Sequence, residues 1–396
     1  IIHICSQRVE KSSARCKILY VTLNALHAFH AYPNRVSPTS MAISLTSLRD
    51  LSAAPFDTII DVRAPAEFAT DHIPGAINLP VLSDEERARV GTLYVQDSPF
   101  VARKTGAALV ARNAAAHIET HLMGFDGGWQ PLVYCWRGGQ RSGSFATILA
   151  QIGWRVETLA GGYQSYRRLV VDRLYEAAFP APVILLDGNT GTAKTEVIAR
   201  LPALGVQTID LEGLANHRGS ALGDFGDQPS QKGFETALAH AVQALEPKMP
   251  VVLEAESSKI GALVLPPALL VAMAAAPRIT IEAPIAARAA YLTRAYADVT
   301  DYGPNVVARL QKLVRLQGHK RVARWSEMAL AGAFKDVAAE LMRDHYDPAY
   351  RKARERSGAA TGQVVTANTL ESDDIDRLAR EIANLLKGRA AAPVRD

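Results

Sequence analysis

From Phe56 onward, short apolar runs bounded by glycine and proline alternate with stretches in which apolar residues recur at helical spacing. Period-two and continuous apolar runs of this length predict strands, and the 3.6-residue repeat predicts helices. The first predicted strand is Thr58-Ile59-Ile60-Asp61-Val62-Arg63. Another ends at Val133-Tyr134, and Phe145, Ile148, Leu149 and Ile152 then mark one face of a helix. The first domain, residues 53–178, closes after Leu159-Ala160-Gly161-Gly162-Tyr163 through a linker helix, Tyr166 to Ala178, with Pro180 and Pro182 as the boundary. A second α/β domain, residues 180–285, starts at Val183-Ile184-Leu185-Leu186-Asp187, with further strands at Gln207-Thr208-Ile209-Asp210, Pro250 to Glu254 and Arg278 to Ile281. Strand signals stop beyond Pro284, so residues 286–396 read as a helical region with a small-polar break around Ser357 to Gln363. The fold class is α/β, two such domains followed by helices.

A chain of 396 residues, 48% hydrophobic and 21% charged, is in the range of an enzyme with more than one core. The longest apolar stretch, Gly261 to Ala276, is interrupted by Pro266 and Pro267 and is too short to span a bilayer. Residues 1–40 are aperiodic, begin at Ile1 and precede Met41, and are read as upstream translation or a disordered extension. They lack the apolar core and small-residue cleavage site of a signal peptide. They hold five basic residues and one acidic residue of the totals of 44 and 40, which leaves 39 of each in the body. The formal charge of +4 therefore carries no argument for nucleic acid, which must rest on local patches. Cys5 and Cys16 also lie in this segment, so Cys135 alone remains in the body, as fits a reactive thiol in a reducing cytoplasm.

Cys135 opens the run Cys135-Trp136-Arg137-Gly138-Gly139-Gln140-Arg141-Ser142. Glycines let successive backbone N–H groups converge, and a helix N-terminus together with Arg141 lowers a thiol pKa. Arg137, Gly138, Gly139 and Arg141 are the predicted anion-binding residues around Cys135. A cysteine followed after five residues by arginine serves a cysteine phosphatase or a chalcogen transferase equally well, since both need a cradle for a tetrahedral anion. A plain core cysteine fits poorly with so polar and glycine-rich a continuation.

After the strand ending at Leu186, Gly188-Asn189-Thr190-Gly191-Thr192-Ala193-Lys194-Thr195 precedes the helical run Glu196 to Leu201. This is the order of a P-loop. Gly188, Thr190, Gly191, Lys194 and Thr195 would cradle a diphosphate, with Thr195 available to Mg²⁺. Ala193 stands where the last glycine is usual, a substitution that helical backbone angles would tolerate. Glu254 and Glu256, after the strand Val251-Val252-Leu253, are candidate acidic or metal-binding residues.

Asp61-Val62-Arg63, Glu67-Phe68, His72-Ile73-Pro74-Gly75-Ala76 and Gly161-Gly162-Tyr163 resemble the motifs that flank the cysteine loop of rhodanese domains, with Asp71 where a glycine is usual. Asp61 and Arg63 fit either a catalytic pair or a structural ion pair, and His72 a structural role. With Asp210 to Ser220, Gln228 to Lys232, Glu254 to Gly261 and His345 to Tyr350 added, nearly the whole chain from Met41 to Arg354 resembles the bacterial tRNA 2-selenouridine synthases. The resemblance implies a transferase acting on tRNA with 2-thiouridine at the wobble position. It S-geranylates the base from geranyl diphosphate and then replaces sulfur using selenophosphate, with Cys135 as the selenium-carrying nucleophile. The P-loop would then serve geranyl diphosphate rather than ATP, and a selenophosphate-supplying enzyme becomes a partner. For tRNA, the basic stretch Arg309, Lys312, Arg315, Lys320, Arg321 and Arg324 lacks any acidic residue between Asp301 and Glu327. Arg309, Lys312 and Arg315 would share a helix face, with Tyr302 and Trp325 as candidates to stack on a base. The competing readings are a cysteine phosphatase or sulfurtransferase fused to a P-loop NTPase, and a non-catalytic RNA-binding adaptor.

Overall fold

The computed structural model describes residues 42–218, 227–297, 303–357 and 362–390. The first sheet is built from β1 (Ala42–Ile43), β2 (Thr58–Asp61), β3 (Ile77–Asn78), β4 (Pro131–Tyr134) and β5 (Glu157–Leu159), in the order β1-β5-β4-β2-β3. Its pairings are parallel. The central strand β4 is wholly buried, as a parallel strand covered on both faces requires. β1 lies upstream of the predicted start of this domain, and two residues are too few to show an alternation.

The second sheet comprises β6 (Val183–Gly188), β7 (Gln207–Ile209), β8 (Val251–Glu254), β11 (Arg278–Glu282) and β12 (Gln363–Thr366), in the order β12-β11-β6-β8-β7, again parallel. A small antiparallel pair, β9 (Lys259–Ile260) with β10 (Leu263–Val264), stands apart from it. The strands expected from the sequence are present, but β12 overturns the reading of residues 286–396 as helical throughout. The chain passes through the helices from Gly303 to Ser357, then returns to add an edge strand beside β11. The last helix, Ser372–Ala390, buries Ile375, Leu378, Ile382 and Leu386 against Ile184, Leu186 and Ile281 of the second sheet. That helix thus belongs to the P-loop core. The intervening helices form their own core around Trp325, Leu310, Val337 and Leu341.

The two α/β units share apolar packing. Leu132, Tyr134, Tyr163 and Tyr166 of the first contact the same cluster as Phe234, Leu238 and Val242 on the helix Gln231–Gln243 of the second. Polar ties reinforce this seam. Tyr166 Oη lies 2.9 Å from His240 Nε2, Tyr175 Oη donates to Glu235 at 2.7 Å, and Arg167 pairs with Glu235. Both candidate loops leave the central strand of their sheet at its C-terminal end, where the loops of an open parallel sheet diverge to leave a crevice.

Candidate functional site

Cys135 directly follows β4 and is almost fully enclosed. The chain turns through Trp136 to Gly139 and enters the helix Gln140–Ile152. Gly138 has φ +64°, and a Cβ there would fall 2.5 Å from the Leu159 carbonyl oxygen, so the loop can lie this close only with glycine. The Gly139 N–H donates to Cys135 Sγ at 3.3 Å and Ser142 Oγ at 3.2 Å. Burial pushes the thiol up. Hydrogen bonds from Ser142 and Gly139, with the Arg141 charge, outweigh burial and hold it below its ordinary value. The loop therefore favours the thiolate form.

The predicted anion-binding residues are not all placed alike. Gly138, Gly139 and Arg137 are exposed on the loop. Arg141 is instead held by Glu67, donating to Oε2 at 2.9 Å, and Arg87 meets the same oxygen at 3.0 Å. Glu67 thereby fixes two guanidinium groups side by side. They line a cleft of about 330 Å³ with Arg63, Trp136, Tyr163, Asp71 and Lys232. Lys232 comes from the second domain, its Nζ 5.9 Å from the centre of the Trp136 ring. Sequence reasoning missed this contribution, because nothing local announces that residue 232 faces residue 136.

Asp61 and Arg63 form a fully buried ion pair, with Arg63 Nη2 2.6 Å from Asp61 Oδ2. The same nitrogen donates to the Asp71 carbonyl oxygen at 2.6 Å, and the guanidinium lies 4.0 Å from the centre of the Tyr163 ring. Of the two readings open for this pair, the structural one describes these contacts. His72 stacks on Phe68 at 3.8 Å, with Nδ1 2.9 Å from the Phe68 carbonyl oxygen, as a structural residue does.

In the second domain Gly188 ends β6 and Lys194 begins the helix Lys194–Arg200. Lys194 Nζ donates to the Gly188 carbonyl at 2.9 Å, which arches the side chain over the loop. Asn189 Oδ1 and Thr190 Oγ1 are buried without a hydrogen-bond partner, and the Thr190 hydroxyl is one that could donate to a bound anion. Ala193 does not have the helical angles that would tolerate its methyl without strain. It sits at φ +58°, ψ +27°, the left-handed region, at a strain of about 1 kcal/mol for a residue with a Cβ. Arg288, also missed in the sequence, is buried and grips the Thr190 carbonyl at 2.8 and 2.9 Å and Asp347 at 2.7 and 3.0 Å. It thus locks the loop to the block that begins at His345.

A cavity of about 450 Å³ extends from the P-loop residues to Glu212, His217, Tyr291, Leu292, Ala295, Tyr296 and Tyr350. Arg218 lines it too, its guanidinium 4.1 Å from the centre of the Tyr296 ring, so the cavity combines the loop with aromatic, aliphatic and cationic side chains. Thr195 Oγ1 donates to Glu212 Oε2 at 2.9 Å. This hydroxyl and carboxylate, completed by phosphate oxygens, would suit Mg²⁺. Of the two acidic candidates, Glu254 is fully buried and accepts the Leu211 N–H at 3.0 Å, which ties β8 to the helix Leu211–Leu214. Burial and the nearby Asp210 push its carboxyl well above the usual range. Glu256 stands nearer the cavity, and burial beside Glu212 raises it to about 7 against the pull of Lys194.

The basic stretch is not one helix face. It divides into helices Gly303–Gln311, Val314–Gln317 and His319–Leu330, and Lys312 falls in the turn between the first two. Leu310 and Leu313 are drawn into the helical core, which breaks the three-residue register. Lys320, Arg321 and Arg324 do share the exposed side of the third helix, and Arg315 is exposed just before it. Arg324 pairs with Glu340. Trp325 is fully buried and donates Nε1–H to Glu340 at 2.9 Å, so it cannot stack on a base. Tyr302 lies outside the described residues.

Fold and site together define a rhodanese-like thiol domain joined to a P-loop domain with helical additions. The rhodanese-like domain family matches residues 44–169, and the tRNA 2-selenouridine synthase AAA domain matches residues 181–323. Curated tRNA 2-selenouridine synthases align along the chain. The protein of Sulfurovum sp. (strain NBC37-1) is 34% identical over 76% of this chain and 90% of its own length. That of Salmonella enteritidis PT4 is 31% identical over 84% and 95%. That of Hahella chejuensis is 38% identical over 62% of this chain and 64% of its own length. The chain belongs to the tRNA 2-selenouridine synthase family.

Proposed function

We propose that this protein converts wobble 2-thiouridine in tRNA to 2-selenouridine through an S-geranyl intermediate. Geranyl diphosphate and selenophosphate are the co-substrates. The observation that carries the reading is the pairing, in one chain of this family, of a cysteine whose loop favours the thiolate with a P-loop cavity that is also lined by Tyr291, Leu292, Ala295 and Tyr296. A diphosphate fits the cradle of residues 188–195, and a C10 isoprenoid tail fits the side chains of Tyr291, Leu292, Ala295 and Tyr296. Lys194, and Mg²⁺ at Thr195 and Glu212, would neutralise the departing diphosphate.

Geranylation turns the sulfur on C2 of the base into a thioether, which leaves more readily than the thiocarbonyl sulfur. Cys135 is the nucleophile that meets selenophosphate, and Arg141 of the same loop both favours its thiolate and lines the cleft. The exposed Arg315, Lys320 and Arg321 supply phosphate contacts to tRNA. A selenophosphate-supplying enzyme is the upstream partner that this chemistry calls for. Among the described residues no helix is long and apolar enough to cross a membrane. The test is geranyl transfer to thiolated tRNA by Lys194→Ala protein in the absence of selenophosphate. Loss of transfer supports the assignment of the P-loop to geranyl diphosphate, and undiminished transfer sinks it.

A further inference from the structure

We infer that Cys135 attacks the phosphorus of selenophosphate rather than its selenium, so that the loop is a chalcogenophosphate-cleaving site that frees hydrogen selenide beside the bound nucleoside. The inference rests on selenophosphate being the donor, and it revises the sulfur-bound selenium that the family resemblance implies. Two independent features support it, the electron balance of the alternatives and the hydrogen bonding of Sγ.

Attack at selenium would form Sγ–Se and break Se–P with the electron pair left on phosphorus, giving phosphite. Once its selenium had bonded to C2 of the base, the Cys–S–Se group would need two electrons to break S–Se, ordinarily from a second thiol. No second cysteine stands among the described residues. Attack at phosphorus needs no electrons from elsewhere. Sγ–P forms and P–Se breaks, and selenium leaves with the pair, taking one proton as hydrogen selenide. Water then forms O–P and breaks Sγ–P, so that phosphate departs, a proton is released and the thiolate returns. The hydrogen selenide attacks C2 of the S-geranylated uridine, forming C–Se and breaking C–S to release geranylthiol.

This route uses Sγ as a nucleophile in one step and as a leaving group in the next. The second role improves when the thiolate is stabilised, which is what Ser142 Oγ at 3.2 Å and Gly139 N–H at 3.3 Å do. Ser142 directly follows Arg141, and its hydroxyl is buried against the sulfur. Beside the loop, Arg87 and Arg141 are fixed by Glu67, and Lys232 faces them from the second domain. Even with Glu67 and Asp71 in the same lining, cations predominate there, as suits a multiply charged tetrahedral anion.

The full-length protein is mixed with selenophosphate carrying radiolabelled phosphorus, quenched by rapid denaturation and digested. The two possible Cys135 adducts have nearly equal mass, so the label and the isotope envelope of selenium distinguish them. The expected result is radiolabel on the Cys135 peptide, none in Cys135→Ala, and several-fold accumulation in Ser142→Ala because breakdown loses its stabilised leaving group. Inorganic thiophosphate, offered without tRNA, is expected to yield sulfide and phosphate in a Cys135-dependent reaction. A selenium isotope envelope on Cys135 without radiolabel overturns the inference while leaving the proposed function standing. Failure of the wild-type protein to selenate geranylated tRNA would instead overturn the reading beneath it.

Discussion

Thr236 on the helix Gln231–Gln243 donates a hydrogen bond of 3.0 Å to Asp71, a buried carboxylate of the rhodanese-like domain 165 residues away in sequence. Tyr163 donates to the same oxygen at 2.5 Å. Asp71 stands where rhodanese domains usually have glycine, and here it is a strut between the two domains. Asp71→Ala leaves two buried hydroxyls unpaired and is expected to destabilise the protein by about 2–3 kcal/mol. Thr236→Val, which removes one donor, should cost about 1 kcal/mol. Urea unfolding of the two variants checks the order.

Glu256 is expected to make stability fall with rising pH. Its carboxyl, raised to about 7 by burial beside Glu212, binds a proton more tightly in the folded than in the unfolded chain. Its contribution is therefore fully present below the unfolded carboxylate range and is lost as pH rises through about 7. Glu256→Gln should flatten that decline between about pH 5 and pH 8, measured as the urea midpoint at each pH. An unchanged slope in the variant would count against the assignment.

The thiolate at Cys135 is a third point of test. The rate of iodoacetamide alkylation should rise with a midpoint below that of an ordinary thiol, because Ser142 and Gly139 hold the charge. Ser142→Ala should move the midpoint upward. A midpoint that does not move would show that the hydroxyl does not support the thiolate.

Trp325 separates stability from recognition. Trp325→Ala should cost about 3–5 kcal/mol through the cavity it leaves among Leu310, Val322 and Leu341. Lys320→Glu with Arg321→Glu should leave stability nearly unchanged and weaken tRNA binding. The slope of log affinity against log salt should also become shallower by between one and two units. Filter binding at several salt concentrations, beside thermal melts, distinguishes the two effects.

The strands that carry both candidate loops are legible in the sequence because β4 and β6 are buried on both faces and read as continuous apolar runs. The loops themselves are legible for the same reason that they are chemically useful. Glycines beside a cysteine or a lysine, directly after such a strand, free backbone N–H groups to converge on an anion, and a core strand has no use for them. β12 is not legible, since Gln363-Val364-Val365-Thr366 is short, buries only Val365, and is positioned by pairing with β11 far upstream. The left-handed angles of Ala193 are not legible, because a single alanine carries no mark of its φ. Arg309, Lys312 and Arg315 read as one helix face because they recur every third residue, while Leu310 and Leu313, which break it, look equally helical. Lys232 and Thr236 reach the first domain only through tertiary packing.

The division of labour between the two loops is tested most directly by nucleoside mass spectrometry of tRNA. The tRNA comes from selenium-supplied cells that lack the gene and carry wild-type or Cys135→Ala protein. The wild type is predicted to restore 2-selenouridine. Cys135→Ala is predicted to abolish it while the S-geranylated nucleoside accumulates. Undiminished 2-selenouridine in the Cys135→Ala cells would contradict the account.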